Sequence, residues 1–239
     1  MFLNREQAGK VLADKIESFF ADKSGMHQRN DLIVVGLPRG GVPVALEVAR
    51  RFGCPLEIIV AKKVPYPGQP EYAIGAVSSD GIAVLSPDVP KDFQWRNYIE
   101  GQRKLLLEKT RHAEQEFYDM AGRKPGSFAG KTVIVVDDGI ATGMTAFAAL
   151  ETARQRGSDY IIMAAPVISP QSYRQLQAYC NEVIAVTRPL NFNNVGQHYL
   201  NFEQTTDEEV VRDLRQSLIF VSHFENNQRE SALYHVDAQ

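Results

Sequence analysis

Hydrophobic residues along the chain occur in two patterns: short unbroken apolar runs and longer stretches with a helical period. The unbroken runs, rich in Val and Ile, are typical of strands buried on both faces of a parallel sheet. Their alternation with amphipathic helices predicts an α/β fold, a doubly wound parallel sheet of about five strands. The predicted strands are 31–36, 56–61, 133–136, 160–168 and 182–186, and the predicted helices are 4–20, 42–52, 144–156, 170–179 and 207–219.

Three segments depart from this alternation. Residues 64–70 contain three prolines and a glycine, which predicts an irregular loop, and the stretch 72–85 then predicts a β-hairpin around Ser78–Gly81. Within residues 87–126 a charged, helix-like stretch predicts a helical insertion with a mostly solvated face. Residues 187–207 hold three aromatic residues among polar ones and follow neither period.

The alternating strands and helices, together with these three segments, predict one domain over residues 1–219. Within it, 64–86 is a flexible loop and hairpin, and 87–126 is the insertion. Residues 220–239 are polar and lack periodicity, so we expect a loosely held tail.

Composition excludes several classes of function. The chain is 44% hydrophobic and 23% charged, as in ordinary globular proteins, and its net charge of −3 argues against a general nucleic-acid binder. Its two cysteines lie far apart in apolar segments and indicate buried thiols in a reducing compartment. No apolar stretch reaches membrane-spanning length, and no Cys/His cluster indicates zinc. We therefore expect a cytoplasmic protein.

The stretch 131–145, KTVIVVDDGIATGMT, carries the strongest chemical signal. Two adjacent carboxylates, Asp137 and Asp138, follow a buried strand, and a loop of small residues then leads into a helix. Such a loop exposes backbone N–H groups at the positive end of a helix, which suits a phosphate. The carboxylates suit sugar hydroxyls and a magnesium ion. The alternative, a tight turn with Asp138 as turn residue and Thr142 as helix cap, leaves the paired acids unexplained.

A second strand–turn–helix pattern occurs earlier, where Pro38-Arg39-Gly40-Gly41 follows the strand 31–36. By itself this is a weak signal, because many such turns carry glycines for packing. Lys62 and Lys63 follow the next predicted strand. Adjacent lysines are usually a solvated edge, although at a strand end they can meet anionic oxygens as point charges.

The 131–145 stretch resembles the signature of type I phosphoribosyltransferases: four apolar residues, two acids, two apolar or small residues, and then Ala or Thr followed by Thr-Gly-x-Thr. Every position of that pattern is met. The order of features over residues 4–215 is similar to a bacterial phosphoribosyltransferase-like branch whose acceptor is not settled. The resemblance implies 5-phosphoribosyl 1-pyrophosphate as donor and Mg²⁺ as cofactor.

The resemblance also implies roles for particular residues. Asp137 and Asp138 would hold the ribose hydroxyls and, directly or indirectly, the magnesium ion. The pyrophosphate would lie against the loop 38–41 and against either Lys62 or Lys63. The resemblance does not distinguish the two lysines. The implied catalytic residues are Arg39, Lys62, Lys63, Asp137 and Asp138; the implied substrate-binding residues are Pro38, Arg39, Gly40, Gly41, Gly139, Ile140, Ala141, Thr142, Gly143, Met144 and Thr145.

In the same family, segments placed like 64–86 and 187–207 form a closing loop and a hood over the acceptor. Glu71 is a candidate acceptor contact, with an ordinary surface glutamate as the alternative. Phe192 and Tyr199 are candidates to stack on a flat acceptor ring, although sealing the end of the sheet explains them equally well. Ala141 stands where 6-oxopurine members place an acid, which disfavours hypoxanthine or guanine as acceptor.

Three functions stay open at this point. The first is a transferase that ribosylates a nitrogenous acceptor and releases pyrophosphate. The second is a non-catalytic regulator that binds the donor, although no basic surface or DNA-binding motif supports it, and the third is a hydrolase of a phosphorylated ribose compound. The expected partners are small molecules, with no nucleic acid and no membrane, and a homodimer is left open.

Overall fold

A computed structural model of the chain describes residues 1–23 and 31–220, without the side chains of residues 70 and 71. Its main sheet has five strands: β1 (Leu32–Gly36), β2 (Leu56–Ile58), β6 (Thr132–Val136), β7 (Tyr160–Val167) and β8 (Glu182–Thr187). They are parallel and lie in the order β2-β1-β6-β7-β8, which confirms the predicted fold class.

Helices cover both faces of this sheet, which is why its strands carry unbroken apolar runs. Alternate strand residues, such as Val34 and Val35, belong to different hydrophobic cores on the two faces. The helices are α1 (Arg5–Asp22), α2 (Gly41–Phe52), α3 (Phe93–Ala121), α4 (Met144–Gln155), α5 (Pro170–Leu176) and α6 (207–220). One core includes residues of α1, α2, the end of α3 and α6, and the other includes residues of α4 and α5.

A second, antiparallel sheet corrects the prediction of an irregular loop at 64–70. Its strands are β3 (Ala61–Tyr66), β4 (Gln69–Ser78) and β5 (Ala83–Leu85). β3 tolerates Pro65 because the register with β4 shifts on both sides of that residue, and Gly68 takes a positive φ of 77° at the turn. The predicted hairpin around 78–81 is confirmed.

The predicted single strand 56–61 is also wrong, since β2 ends at Ile58 and β3 begins at Ala61 in the other sheet. The apolar run continues across this junction because Ile59 and Val60 are buried as well. The predicted helix 170–179 is shorter than expected and ends at Leu176.

The inserted helix α3 is fixed to the junction between the two sheets by a buried acid. Glu114 accepts hydrogen bonds from the Val60 backbone N–H (2.8 Å) and the Ser79 hydroxyl (2.6 Å). Its other oxygen pairs with Arg156 at 2.6 Å. α3 therefore belongs to the folded core over its second half.

The tail predicted for residues 220–239 lies outside the described residues, apart from residue 220 at the end of α6. In the part of the chain that is described, no helix is long and apolar enough to cross a membrane.

Candidate functional site

The two glycine-containing loops meet because β1 and β6 are parallel neighbours, with Gly36 opposite Val136. The Leu37 N–H donates to the Val136 carbonyl at 2.9 Å and continues the pairing into the loop. A Cβ atom at Gly41 would lie 2.7 Å from the Val136 carbonyl oxygen and 3.0 Å from Cα of Asp137. Glycine is thus required where the loop 38–41 passes the acids.

Asp137 and Asp138 occupy a tight, largely buried position at the end of β6. One oxygen of Asp137 accepts the Asp138 backbone N–H at 2.9 Å, and Oδ2 of Asp138 lies 2.8 Å from Nε of Arg5. Burial raises the pKa of both carboxyl groups. The negative charge of Asp138 raises the pKa of Asp137 further, while Lys63 and Arg5 act in the opposite direction. Ligand hydroxyls or a cation would therefore stabilise these carboxylates strongly.

The loop 139–143 presents unpaired backbone donors at the start of α4. Gly143 has a φ of +76°, and α4 begins at the next residue. Among the residues that the structure describes, the backbone N–H groups of residues 142–146 have no hydrogen-bond acceptor. Ala141 and Thr142 are exposed. Consecutive free N–H groups at the positive end of a helix form a site for an anion.

Two hydroxyl groups hold this loop from behind. Ser169 and Ser172, at the start of α5, donate to the Ala141 carbonyl at 2.7 and 2.6 Å. The Ile140 N–H also donates to the Val167 carbonyl at 2.9 Å. The Ile140 and Ala141 carbonyl groups thus accept hydrogen bonds from the start of α5, while the N–H groups of residues 142–146 keep no acceptor among the described residues.

In the loop 38–41, one backbone N–H group has a hydrogen-bond acceptor and another has none among the described residues. The Gly41 N–H donates to the Leu37 carbonyl at 3.0 Å, whereas the Gly40 N–H has no acceptor among the described residues. Arg39 is 39% exposed, and its Nη1 lies 3.7 Å from Oδ1 of Asp207. The Pro38–Arg39 peptide bond is cis.

The structure separates the two lysines that the sequence left equivalent. They are successive residues of β3, so they point to opposite faces of that strand. The positive charge of Lys63 lowers the pKa of Asp137, against the larger effect of burial. Lys62 instead borders a cavity of about 650 Å³ beside the loop 38–41. The cavity is lined by Pro38, Arg39, Val60, Ala61, Lys62, Ala113, Glu116, Phe117, Met120, Asp207 and Glu208.

The two aromatic hood candidates lie in different surroundings. Tyr199 is 6% exposed, packs against Phe2 and Phe202, and donates its hydroxyl proton to the Asp138 carbonyl at 2.6 Å. These contacts correspond to the sealing role. Phe192 is partly exposed and lies against the His198 ring with centroids 5.4 Å apart. Glu71 is in β4, and its side chain is outside what the structure describes.

Sequence reasoning missed Arg5, because the pattern of α1 indicated a packing helix. Arg5 and Asp138 are 133 positions apart, and no sequence signal links them. Nη1 of Arg5 also donates to the Glu203 carbonyl at 2.5 Å, and its guanidinium lies 4.0 Å from the centre of the Phe202 ring. One side chain therefore joins α1, the acids and the segment 187–207.

The acids suit magnesium in part. Within the described residues, no group of three or more His, Cys, Asp or Glu side chains could hold a metal ion by itself. Mg²⁺ is usually bound by one or two carboxylates together with water and substrate oxygens. Asp137 and Asp138 can supply the carboxylate ligands of such a site, and a bound ligand would supply the remaining oxygens.

The chain is similar to known proteins over most of its length. Residues 7–202 match the family model described as "Phosphoribosyl transferase domain". The Mycobacterium tuberculosis protein named "Putative phosphoribosyl transferase Rv0571c" is 40% identical over 215 residues, which are 88% of this chain and 46% of that protein. The chain thus spans about half the length of this relative and of its counterpart from a second strain of the same organism. A ribose-phosphate pyrophosphokinase from Mycobacterium leprae is 30% identical over 114 residues, covering 46% of this chain and 35% of the enzyme.

A solved structure extends the likeness to three dimensions. The crystal structure of the Thermus thermophilus protein TT1426 matches with a TM-score of 0.74 and 36% sequence identity. The match covers 90% of this chain and 98% of that protein.

Proposed function

The chain belongs to the phosphoribosyl transferase family, and we propose that it transfers phosphoribosyl from 5-phosphoribosyl 1-pyrophosphate to a nitrogenous acceptor, with release of pyrophosphate. One observation carries this proposal: the paired acids Asp137 and Asp138 adjoin a loop whose N–H groups at 142–146 have no acceptor within the described residues. A ribose carrying a phosphate matches both halves of that arrangement.

The 5′-phosphate would accept hydrogen bonds from the backbone of residues 142–146 and from the hydroxyls of Thr142 and Thr145. The α4 dipole favours the negative charge at this position. Ser169 and Ser172 keep the loop in the required orientation through the Ala141 carbonyl. This phosphate does not react, so its binding energy serves to position the ribose.

Asp137 and Asp138 would bind the ribose hydroxyls and favour the positive charge that develops on the ring as pyrophosphate departs. Their negative charge lies in a largely buried place, where electrostatic interactions are strong. Asp137 and Asp138 would also hold Mg²⁺ together with donor oxygens. Bound magnesium neutralises charge on a leaving pyrophosphate.

The departing pyrophosphate would lie against the Gly40 N–H, the Arg39 guanidinium and Lys63. Lys63 is favoured over Lys62 because its charge already acts on Asp137. The nitrogen of the acceptor would then form its bond to C1′ while the bond to the pyrophosphate oxygen breaks. This step requires no side-chain nucleophile.

The acceptor would enter beneath the segment 187–198. Phe192 offers a partly exposed ring there, and Val195 contacts the loop at Gly139, where a Cβ atom would lie 2.4 Å from Val195 Cγ1. Ala141 supplies no acid to assist a ring nitrogen, so we disfavour 6-oxopurines as acceptors.

A single assay separates this proposal from its alternatives. The protein is incubated with the donor, Mg²⁺ and a panel of purines, pyrimidines, small amines and water, and both pyrophosphate and the ribosylated product are identified. A ribosylated product with stoichiometric pyrophosphate supports the transferase. Pyrophosphate release with water alone indicates the hydrolase, and donor binding without release for any acceptor indicates the regulator. Absence of donor binding, measured by calorimetry, contradicts the transferase and the donor-binding regulator.

A further inference from the structure

Arg5 is a charged side chain on a packing helix, yet its contacts point to the candidate site. It is the first residue of α1, and its side chain is 13% exposed. The guanidinium contacts Asp138, the Glu203 carbonyl and the Phe202 ring. Each of these partners belongs to the acids or to the segment that follows the last core strand.

The contact with Asp138 fixes where that carboxylate lies. A Cβ atom at Gly40 would be 2.1 Å from Oδ2 of Asp138 and 3.0 Å from Nε of Arg5. Arg5 therefore holds the Asp138 side chain in contact with Gly40 of the loop 38–41. Asp137, by contrast, has no ion-pair partner within 4 Å among the described residues.

Arg5 is not needed to attach α1 to the rest of the protein. The capping residue Asn4 accepts the Gln7 N–H, and Arg51 of α2 pairs with Asp14 and Glu17 further along α1. Leu12 and Ile16 are fully buried against the core. The helix thus has its own packing and ion pairs, which leaves Arg5 directed at the site.

We propose that Arg5 is a positioning residue for the donor: it orients Asp138 toward the ribose and joins that acid to the segment 199–203. This inference rests on the proposed function, since it assigns a role within the same site. The two adjacent acids then differ in kind. Asp138 is held by a protein cation in a fixed orientation, and Asp137 remains available to the ligand.

The test is a double-mutant cycle on donor binding. Dissociation constants for 5-phosphoribosyl 1-pyrophosphate with Mg²⁺ are measured by calorimetry for the wild type, Arg5→Gln, Asp138→Asn and the double variant. Arg5→Gln should weaken binding at least about tenfold, the size expected for a hydrogen bond to a charged group. If Arg5 acts through Asp138, the double variant should bind no more than about twofold more weakly than Asp138→Asn alone.

Two further variants separate positioning from structure. Arg5→Lys keeps the charge but cannot bridge Asp138 and Glu203, so its affinity should fall between those of the wild type and Arg5→Gln. Arg51→Gln is the control, because Arg51 is an exposed arginine that pairs with Asp14 and Glu17 of α1. The donor affinity of this variant should stay within about twofold of that of the wild type. Thermal melting identifies a temperature at which every titrated variant is folded.

If the wild type binds the donor and Arg5→Gln binds it with the same affinity, this inference is overturned and the proposed function is not. Losses that multiply in the double variant would show that Arg5 acts independently of Asp138 and would also overturn it. An Arg5→Gln protein that does not fold would assign Arg5 a structural role and overturn it as well. A wild type that does not bind the donor would overturn the proposed function, and this inference with it.

Discussion

The loop after β1 and the loop after β6 share one sequence pattern, a buried strand followed by glycines and a helix, but they differ in what surrounds them. At Gly40 and Gly41 there is no room for even a methyl group, because the acids and the end of β6 occupy that space. The loop 139–143 instead exposes Ala141 and Thr142 and, among the described residues, leaves backbone donors free.

The difference shows two separate uses of glycine. In the first loop, glycine allows two chain segments to approach closely, so its importance is steric. The second loop also has a sterically confined glycine, Gly139, but its Gly143 has a different use, since it allows a positive φ where the chain turns into α4. A glycine substitution in the loop 38–41 should therefore displace Asp137 and Asp138. Loss of the serine hydrogen bonds to the loop 139–143 should only weaken phosphate binding.

Gly41→Ala should have a severe effect, because its Cβ would meet backbone atoms of Val136 and Asp137 that cannot rotate away. We expect the free energy of unfolding to fall by about 1–3 kcal/mol, as for overpacking in a core. Displaced acids should weaken donor binding about 100-fold. Chemical denaturation and calorimetry measure the two effects.

Gly101→Ala is the matched control, since nothing lies within 4 Å of a Cβ atom at that position in α3. It should raise the free energy of unfolding by about 0.5–1 kcal/mol, because glycine is unfavourable inside a helix. Wild-type donor affinity in Gly41→Ala would contradict the steric account of the first loop.

Asp137→Asn should preserve the fold and lose the ligand. The amide oxygen can still accept the Asp138 N–H, so the turn is retained. The lost hydrogen bonds to a charged group should weaken donor binding about 10- to 100-fold. An affinity equal to that of the wild type would show that the ribose does not contact this acid.

The same variant has a consequence for stability as a function of pH. Because burial raises the pKa of Asp137 in the folded protein, the folded state keeps this proton to a higher pH than the unfolded chain does. The contribution of this group to stability is therefore present at low pH and lost as pH rises from about 3.9, the unfolded value, through the higher pKa of the folded state. Asp137→Asn should remove that part of the pH dependence, which urea denaturation across this range measures.

Lys63→Met and Lys62→Met compare the two faces of β3. Loss of Lys63 should weaken donor binding about fivefold to tenfold, as for a charge-assisted contact, and loss of Lys62 by no more than about twofold. The two substitutions are chemically identical on adjacent residues, so each serves as the control for the other. A larger effect for Lys62 would place the pyrophosphate on the side of the 650 Å³ cavity.

Ser169→Ala and Ser172→Ala test the support behind the second loop. Each removes one hydrogen bond to the Ala141 carbonyl, worth about 1 kcal/mol, so donor affinity should fall up to about fivefold in each variant. Ser18→Ala loses a comparable bond to the Asp14 carbonyl on the exposed side of α1 and should leave the affinity unchanged. Equal affinities in all three variants would show that the loop does not need this support.

Much of the fold follows from the sequence because burial on both faces leaves only apolar residues in a strand. The runs at 133–136 and 160–168 predicted β6 and β7 to within one residue. The resemblance placed both loops on one donor, whereas their actual meeting depends on β1 and β6 being parallel neighbours, an order that the sequence pattern did not predict. The roles assigned to those loops stay predictions.

Other features depend on contacts that a sequence pattern does not record. The run 56–61 gave no sign of a break, because Ile59 and Val60 stay buried while the chain passes to another sheet. The prolines at 65, 67 and 70 suggested a loop, although a bulge and a turn accommodate strands on both sides of 67–68. Arg5 could not be linked to Asp138, because the pair forms only after α1 packs beside the sheet.

A crystal structure of the protein with 5-phosphoribosyl 1-pyrophosphate and Mg²⁺ tests the central claim most directly. The account predicts the 5′-phosphate at the N–H groups of residues 142–146, the ribose hydroxyls at Asp137 and Asp138, and the pyrophosphate beside Arg39 and Gly40. Donor bound with no phosphate at the N–H groups of residues 142–146, and with its ribose away from Asp137 and Asp138, would contradict it.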